Sequence, residues 1–372
     1  MKIAHLTSAH PRTDLRIFGK QCKSLATYGY DVELIVADGL GDAHQDGISI
    51  YDVGRISGRV RRSILLARRV CQKALQLQPD VCHLHDPELL LHAGILRRSG
   101  IKVVYDAHED LPSQVAAKPY IPIWGQKAVA RLARIFLNYK FVRLDAVITA
   151  TEHIAKTIPT TQKRVCVVRN YPFRPTKPAS VHTRSRSTTE AEPQVLVYAG
   201  NISHLRGVLD LVDALALTKT DVQLELYGKV SSPEFLQTLK ASPGWDKVNF
   251  HGYVHHDDVT QAMKRAICGI VVLHPTHAYQ HSLPIKMFEY MAASIPVIAS
   301  DFPLWRSIVS ETGCGLCVEP NNPQKLAQKI EWLVEHPEEA YGMGKMGFDA
   351  ITSSFNWESE EEELKAIYRT IL

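Results

Sequence analysis

The chain has 372 residues, 45% of them hydrophobic and 22% charged. That is too long for one ordinary core and suits two domains of roughly 150–200 residues each. No apolar stretch approaches the ~18–20 residues that span a bilayer. The apolar run at Ile3–Leu6 is interrupted by His5 and stopped by Thr7 and Ser8, unlike a signal peptide, so the expected compartment is the cytosol.

The net charge of +4 hides an asymmetry. Residues 1–180 hold 27 Lys/Arg against 15 Asp/Glu, and residues 181–372 hold 16 against 24. A first half this basic is drawn to anionic surfaces, whether membrane, nucleic acid or polyphosphate. The seven cysteines lie scattered in apolar runs, as reduced core thiols do. Cys314 and Cys317 share C-x-x-C spacing, but no second pair with finger spacing follows, so packed thiols are expected there and no metal.

Short β-branched runs alternate with amphipathic segments along the whole chain. In the first half, strands are expected at Lys2–Leu6, Val32–Ala37, Ile48–Val53, Val81–His85, Lys102–Asp106, Ala146–Thr149 and Val165–Val168. The loop His10–Phe18 after the first strand brings Arg16 and its neighbours to a helix start. It reads equally as capping by Thr13 and Asp14 or as ligand contact. Two further strands end in His83-Leu84-His85-Asp86 and Asp106-Ala107-His108-Glu109-Asp110. Imidazoles and carboxylates at strand ends suit a metal, or a hydroxyl-rich acceptor held by paired donors and acceptors. In Arg55–Leu77 and Ile123–Leu144, apolar residues recur every three or four positions beside arginines and lysines.

Tyr171–Pro193 carries four prolines and no strand or helix period, which marks a linker. The expected domains are 1–175 and 194–354, with 176–193 between them. In the second half, strands are expected at Val195–Ala199, Val222–Tyr227, Val248–His251, Gly269–Leu273 and Pro296–Ser300, and helices at Leu205–Leu217 and Lys286–Ala293. Alternation of this kind predicts two α/β, Rossmann-like doubly wound parallel sheets, with ligands at the carboxyl ends of the strands. The turn Gly200–Gly207 joins a strand to a helix, where Gly200 lets the backbone approach a phosphate and Arg206 offers a charged fork. In His274–Ser300, Pro284 opens a helix whose first amides at Ile285 and Lys286 would face a phosphate. Glu289, one turn on, would accept hydrogen bonds from a ribose. Alternatively, Lys286 and Glu289 are an exposed i, i+3 pair.

In this order and spacing, these segments resemble the family-4 retaining glycosyltransferases of the GT-B fold over nearly the whole chain. The matching elements are the first strand and loop, His85-Asp86, His108-Glu109, Val168-Arg169-Asn170, Gly200–Gly207, Tyr227-Gly228, His251–Val254 and His281–Ala292. The resemblance implies two domains facing a central cleft, with a last helix (about 355–372) returning to the first domain. His108 matches the acceptor-half histidine that lies against the transferred sugar, Arg206 the lysine that contacts the diphosphate, and Glu289 the second of two glutamates. The implied catalytic set is His108, Glu109, Arg206 and Lys286. The implied donor set is Gly200, Asn201, Arg206, Tyr227, Gly228, Tyr253, Val254, His281, Ile285, Lys286 and Glu289, and the acceptor set is Arg16, His85, Asp86 and His108. Asn201 stands where the family has a second basic residue, and His281 where it has the first glutamate.

The expected activity is transfer of a sugar from a nucleotide-diphosphate donor, UDP favoured over GDP, to a saccharide or a lipid-linked glycan. No cofactor is expected. No Asp-x-Asp triplet occurs to hold a cation on the diphosphate, so metal-independent transfer with retained anomeric configuration is expected. An anionic membrane surface is an expected partner and nucleic acid is not, because Arg55–Lys73 has no interleaved aromatics. The alternatives are a non-catalytic GT-B subunit, which His281 favours, and a nucleotide-sugar epimerase on the same scaffold.

Overall fold

A computed structural model describes residues 1–56, 58, 62–108, 111–112, 123–176 and 193–371. Glu109 and most of the expected linker lie outside the described residues. The chain divides into two compact units, Met1–Asn170 with Trp357–Leu372, and Tyr171–Asn356.

In the first unit, β1 (Lys2–Leu6), β2 (Asp31–Val36), β3 (Ala43–Gln45), β4 (Ile48–Asp52), β5 (Val81–Leu84), β6 (Lys102–Ala107), β7 (Ala146–Thr149) and β8 (Val165–Val167) form one sheet. Its order is β3-β4-β2-β1-β5-β6-β7-β8. Every pairing is parallel except the short hairpin β3–β4. Both faces are covered. Ala4, Leu6, Cys82 and Leu84 pack on one side with the helix Ala67–Leu77, and Ile3 and Val81 on the other with Trp357 and Tyr368. The two-residue alternation of a strand then puts His5, His83 and His85 on that second side.

The helix Trp357–Ile371 belongs to this unit although it comes last in the chain. It is held by Trp357 Nε1 donating to Ser24 Oγ (2.9 Å), by a hydrogen bond between Tyr368 Oη and His83 Nδ1 (2.9 Å), and by the Arg169 amide donating to Glu360 (2.7 Å).

In the second unit, β9 (Gln194–Ala199), β10 (Val222–Tyr227), β11 (Val248–Gly252), β12 (Ala266–Val271), β13 (Val297–Ser300) and β14 (Gly315–Val318) form an all-parallel sheet in the order β11-β10-β9-β12-β13-β14. The strand order reverses between β9 and β12, the crevice where doubly wound sheets take ligands. In the first unit the same point lies between β1 and β5. The helix expected from Leu205 begins only at Val208, because His204–Arg206 winds as a separate 3-10 turn. β14 and the helices Pro303–Thr312, Pro323–Glu335 and Pro337–Ser353 were not expected from sequence.

All seven cysteines are free thiols, Cys314 buried and Cys317 half-buried. Among the described residues, no helix is long and apolar enough to cross a membrane.

Candidate functional site

In the first unit the residues at the strand ends are bound to one another. Arg16 grips Asp106 with two parallel bonds, Nε to Oδ2 and Nη2 to Oδ1, both 2.8 Å, and Gln21 donates to the same carboxylate at 2.8 Å. Burial works to raise the Asp106 carboxyl, but Arg16 and His85 outweigh it and hold it well below the usual carboxylate range. His85 lies 3.5 Å from Asp106 and shares a 2.9 Å hydrogen bond with His5. One ring nitrogen from each of His5, His83 and His85 comes within 4.8 Å of the other two. Burial lowers the pKa of all three, opposed at His85 by the Asp106 carboxylate.

Asp86 ties down the loop after β1. One of its oxygens accepts from Thr7 Oγ1 (2.8 Å) and from the amides of Ser8 (2.6 Å) and Ala9 (3.2 Å). His10 sits between carboxylates, 3.3 Å from Asp14 and 3.4 Å from Asp86. Asp14, not Thr13, caps the helical segment Leu15–Cys22 by accepting from the Ile17 amide at 2.9 Å. The half-buried His108 stands edge-on to His10, ring centres 5.4 Å apart.

Arg16, His85 and Asp86 are buried side chains that bind one another's neighbours at the strand ends. His10, Asp14 and His108 are partly exposed groups of this network. The sequence marks the loop that opens at His10 without singling out that residue, although its place four residues before Asp14 on a strand-end loop was a signal.

The second unit differs. Gly200 and Gly228 follow β9 and β10, Gly252 ends the neighbouring β11, and backbone bonds stitch these ends together, the Gly200 amide donating to Tyr227 O (3.0 Å) and the Gly228 amide to Gly252 O (2.7 Å). A Cβ on Gly228 would lie 1.8 Å from Gly200 O, so only glycine allows this approach. Lys286 enters from the helix Ile285–Ala292, and its Nζ would sit 3.2 Å from a Cβ on Gly200. That ammonium is buried with no hydrogen-bond partner, lying 3.7 Å from the ring centre of Tyr198. Burial pushes its pKa well down, the nearby Arg206 adds to this, and Glu289 opposes it. Arg206 lies over the ring of Tyr279 at 5.1 Å. The N-terminus of the same helix adds the positive end of its dipole.

Lys286 is therefore not an exposed partner of Glu289, which is half-buried. Asn201, Tyr253 and Ile285 are exposed, and Val254 and His281 are half-buried. Tyr227 is buried, with its hydroxyl donating to Glu225 (3.0 Å) and its ring stacked on His251 (4.5 Å). The sequence reading missed the rings that lie under the two cations, Tyr198 under Lys286 and Tyr279 under Arg206, and Tyr290, whose hydroxyl accepts from the Ala199 amide at 3.0 Å. Tyr198, two residues before Gly200, was the one legible hint.

Both halves match known families. The profile described as Glycosyltransferase Family 4 matches residues 20–171, and that of Glycosyl transferases group 1 matches residues 182–349. D-rhamnosyltransferase WbpZ of Pseudomonas aeruginosa is 27% identical over 154 residues, 41% of this chain and 39% of that protein. Alpha-maltose-1-phosphate synthase of Mycobacterium tuberculosis is 26% identical over 209 residues, 54% of each. The match thus spans about half the length of these curated relatives, or less. Among solved structures, sucrose-phosphate synthase of Thermosynechococcus elongatus superposes with a TM-score of 0.78 at 17% identity, covering 100% of this chain and 98% of that one. Anabaena HepE in complex with UDP-glucose gives 0.73 at 16% identity, with 100% of both chains covered. With profiles matching in both units and neighbours that superpose end to end, the chain belongs to glycosyltransferase family 4 and has the GT-B fold.

Proposed function

We propose that this protein moves a sugar from a nucleotide-diphosphate donor to a saccharide or lipid-linked glycan. The observation that carries this reading is the buried, unpartnered ammonium of Lys286 beside Gly200, with Arg206 close by. A buried cation without a hydrogen-bond partner is costly unless an anion meets it, and a diphosphate is the anion that a strand-to-helix turn of this kind accepts. The complexes of Anabaena HepE with UDP and with UDP-glucose support a UDP-sugar as the donor to try first.

In the reaction, the acceptor hydroxyl oxygen bonds to the anomeric carbon as the bond from that carbon to the diphosphate oxygen breaks, and the hydroxyl proton passes to the departing diphosphate. The electron pair leaves with the diphosphate. Lys286, Arg206 and the helix amides stabilise the charge that grows there. The absence of an Asp-x-Asp triplet supports transfer without a divalent metal. The family resemblance supports retention at the anomeric carbon, and a role for His108 on the acceptor side.

Replacing Lys286 or Arg206 by alanine should weaken UDP or GDP binding by about 1.5–3 kcal/mol, as expected for a lost charged hydrogen bond. Calorimetric titration of the two variants checks this, and unchanged affinity in both would remove the site assignment. His108→Ala should keep nucleotide affinity while losing most of the transfer rate.

A further inference from the structure

The two basic segments of the first unit are not alike. Ala67–Leu77 buries its apolar side, Ala67, Val70, Cys71 and Ala74, against the sheet and turns Arg68 and Arg69 outward. That is an ordinary covering helix.

Ile123–Phe141 packs through Leu137 and Phe141, yet leaves a second apolar stripe in the open. Trp124 is 88% exposed, Leu132 66%, Ile135 57% and Tyr139 56%. Spacings of eleven and fifteen residues bring Ile135 and Tyr139 back to the side of Trp124, with Leu132 one turn before Ile135 and about two turns from Trp124 and Tyr139. Lys127, Arg131 and Arg134 are exposed along the edge of this stripe, and the helix contains no acidic residue. Beyond its end, the Arg143 guanidinium lies 3.7 Å over the Tyr139 ring.

We propose that this face lies flat on an anionic lipid surface, with Trp124, Leu132 and Ile135 in the headgroup boundary and the basic edge on the phosphates. An in-plane amphipathic helix has this make-up, bulky apolar and aromatic residues on one side and lysines and arginines beside them. A second copy of the chain would bring the same all-basic face against itself in a two-fold pairing, which like charge opposes. Nucleic acid would use the basic edge but leave Leu132 and Ile135 in water. The proposal deepens the reading of a lipid-linked acceptor and rests on it only for its purpose.

The test is co-sedimentation of the full chain with phosphatidylcholine vesicles, with and without phosphatidylglycerol. Binding should require phosphatidylglycerol and be reversed by salt. Leu132→Ser with Ile135→Ser, and separately Arg131→Glu with Arg134→Glu, should each cut vesicle binding about tenfold or more, while Arg68→Glu with Arg69→Glu does so far less. UDP affinity, measured on the same variants, should not change, so a failure of the donor reading is seen separately. Equal binding to neutral vesicles, no binding at low salt, or an oligomer that the Leu132/Ile135 variant dissolves would each overturn the proposal.

Discussion

The two units treat a buried positive charge in opposite ways. In the first, two nitrogens of Arg16 meet the Asp106 carboxylate and Gln21 adds a third donor to it. In the second, the Lys286 ammonium is equally removed from water but has no hydrogen-bond partner, with an aromatic ring beneath it and another cation nearby. A paired buried charge is a structural element, whereas an unpaired one opposes folding until an anion arrives. The contrast separates residues that build the strand ends from residues that bind, and sequence spacing alone treats the two alike.

The largest expected effect tests the paired side. Asp106→Ala leaves Arg16 buried without its carboxylate and should cost about 3–5 kcal/mol, read as a lower urea midpoint for the first unit. Nucleotide affinity of the folded protein should be unchanged. A cost below about 1 kcal/mol would mean that water reaches Arg16 and that the contrast between the units is false.

Lys286→Met tests the unpaired side. Beyond its loss of nucleotide affinity, this variant should be as stable as the wild type without ligand, or more so, since methionine fills the space without a charge to desolvate. The sign with pH is also fixed. Because the folded-state pKa of Lys286 lies below its ordinary 10.5, the unfolded chain binds the extra proton between those two values. This lysine's destabilising contribution is therefore full at low pH and fades as pH rises towards 10.5. The methionine variant should lack that slope in a comparison of unfolding free energies across alkaline pH. A destabilised methionine variant would point to a structural role for the ammonium.

The same physics explains what could be read without coordinates. Strand positions followed from β-branched runs such as Val32–Ala37 and Ala146–Thr149, because a parallel sheet buried on both faces demands them. β14 escaped notice since Gly315-Leu316-Cys317-Val318 is too short to carry a period. His108, Arg206 and Lys286 were picked out by their place after strands and at helix starts. Arg16, His85 and Asp86 had equal claims by that criterion, and only burial and partners separate them. His85 shares a face with His5 and His83 through a pairing of β1 with β5 that joins residues about eighty apart in sequence. No local pattern encodes that pairing.

A smaller effect sharpens the comparison within the first unit. Burial works to raise Asp14, but His10 and the Ile17 amide outweigh it and hold the carboxyl at about 2 against an ordinary 3.8. A depressed carboxylate contributes stability that is complete above 3.8 and lost as pH falls through about 2. Discounted for its partial exposure, the contribution is about 1–2 kcal/mol. Asp14→Ala should lose this together with the helix cap, while Asp14→Asn keeps the cap and loses only the pairing with His10. Unfolding curves at neutral and at strongly acid pH should converge for wild type and Asp14→Asn as the acid is increased. Curves that stay apart would show that the carboxylate acts through shape alone.

The smallest effect comes from a pair with the same chemistry as Arg16 and Asp106 in a different place. Arg306 also forks onto an aspartate, Asp301, through Nε and Nη2, but its side chain is 57% exposed and that of Asp301 32%. The Arg306–Asp301 pair holds two flexible side chains in one geometry, in water that screens their attraction. It closes the turn between β13 and the helix Pro303–Thr312, whose start is already fixed by Pro303 at its first position and by the Arg306 amide donating to Phe302 O at 2.8 Å. Arg306→Ala should therefore leave the urea midpoint of the second unit within experimental error of the wild type, at low salt and at high salt alike. A clear, salt-sensitive loss would show that pairing geometry, not removal from water, sets the worth of an arginine–aspartate fork in this protein. The weight placed on burial at Asp106 and Lys286 would then have to be given up.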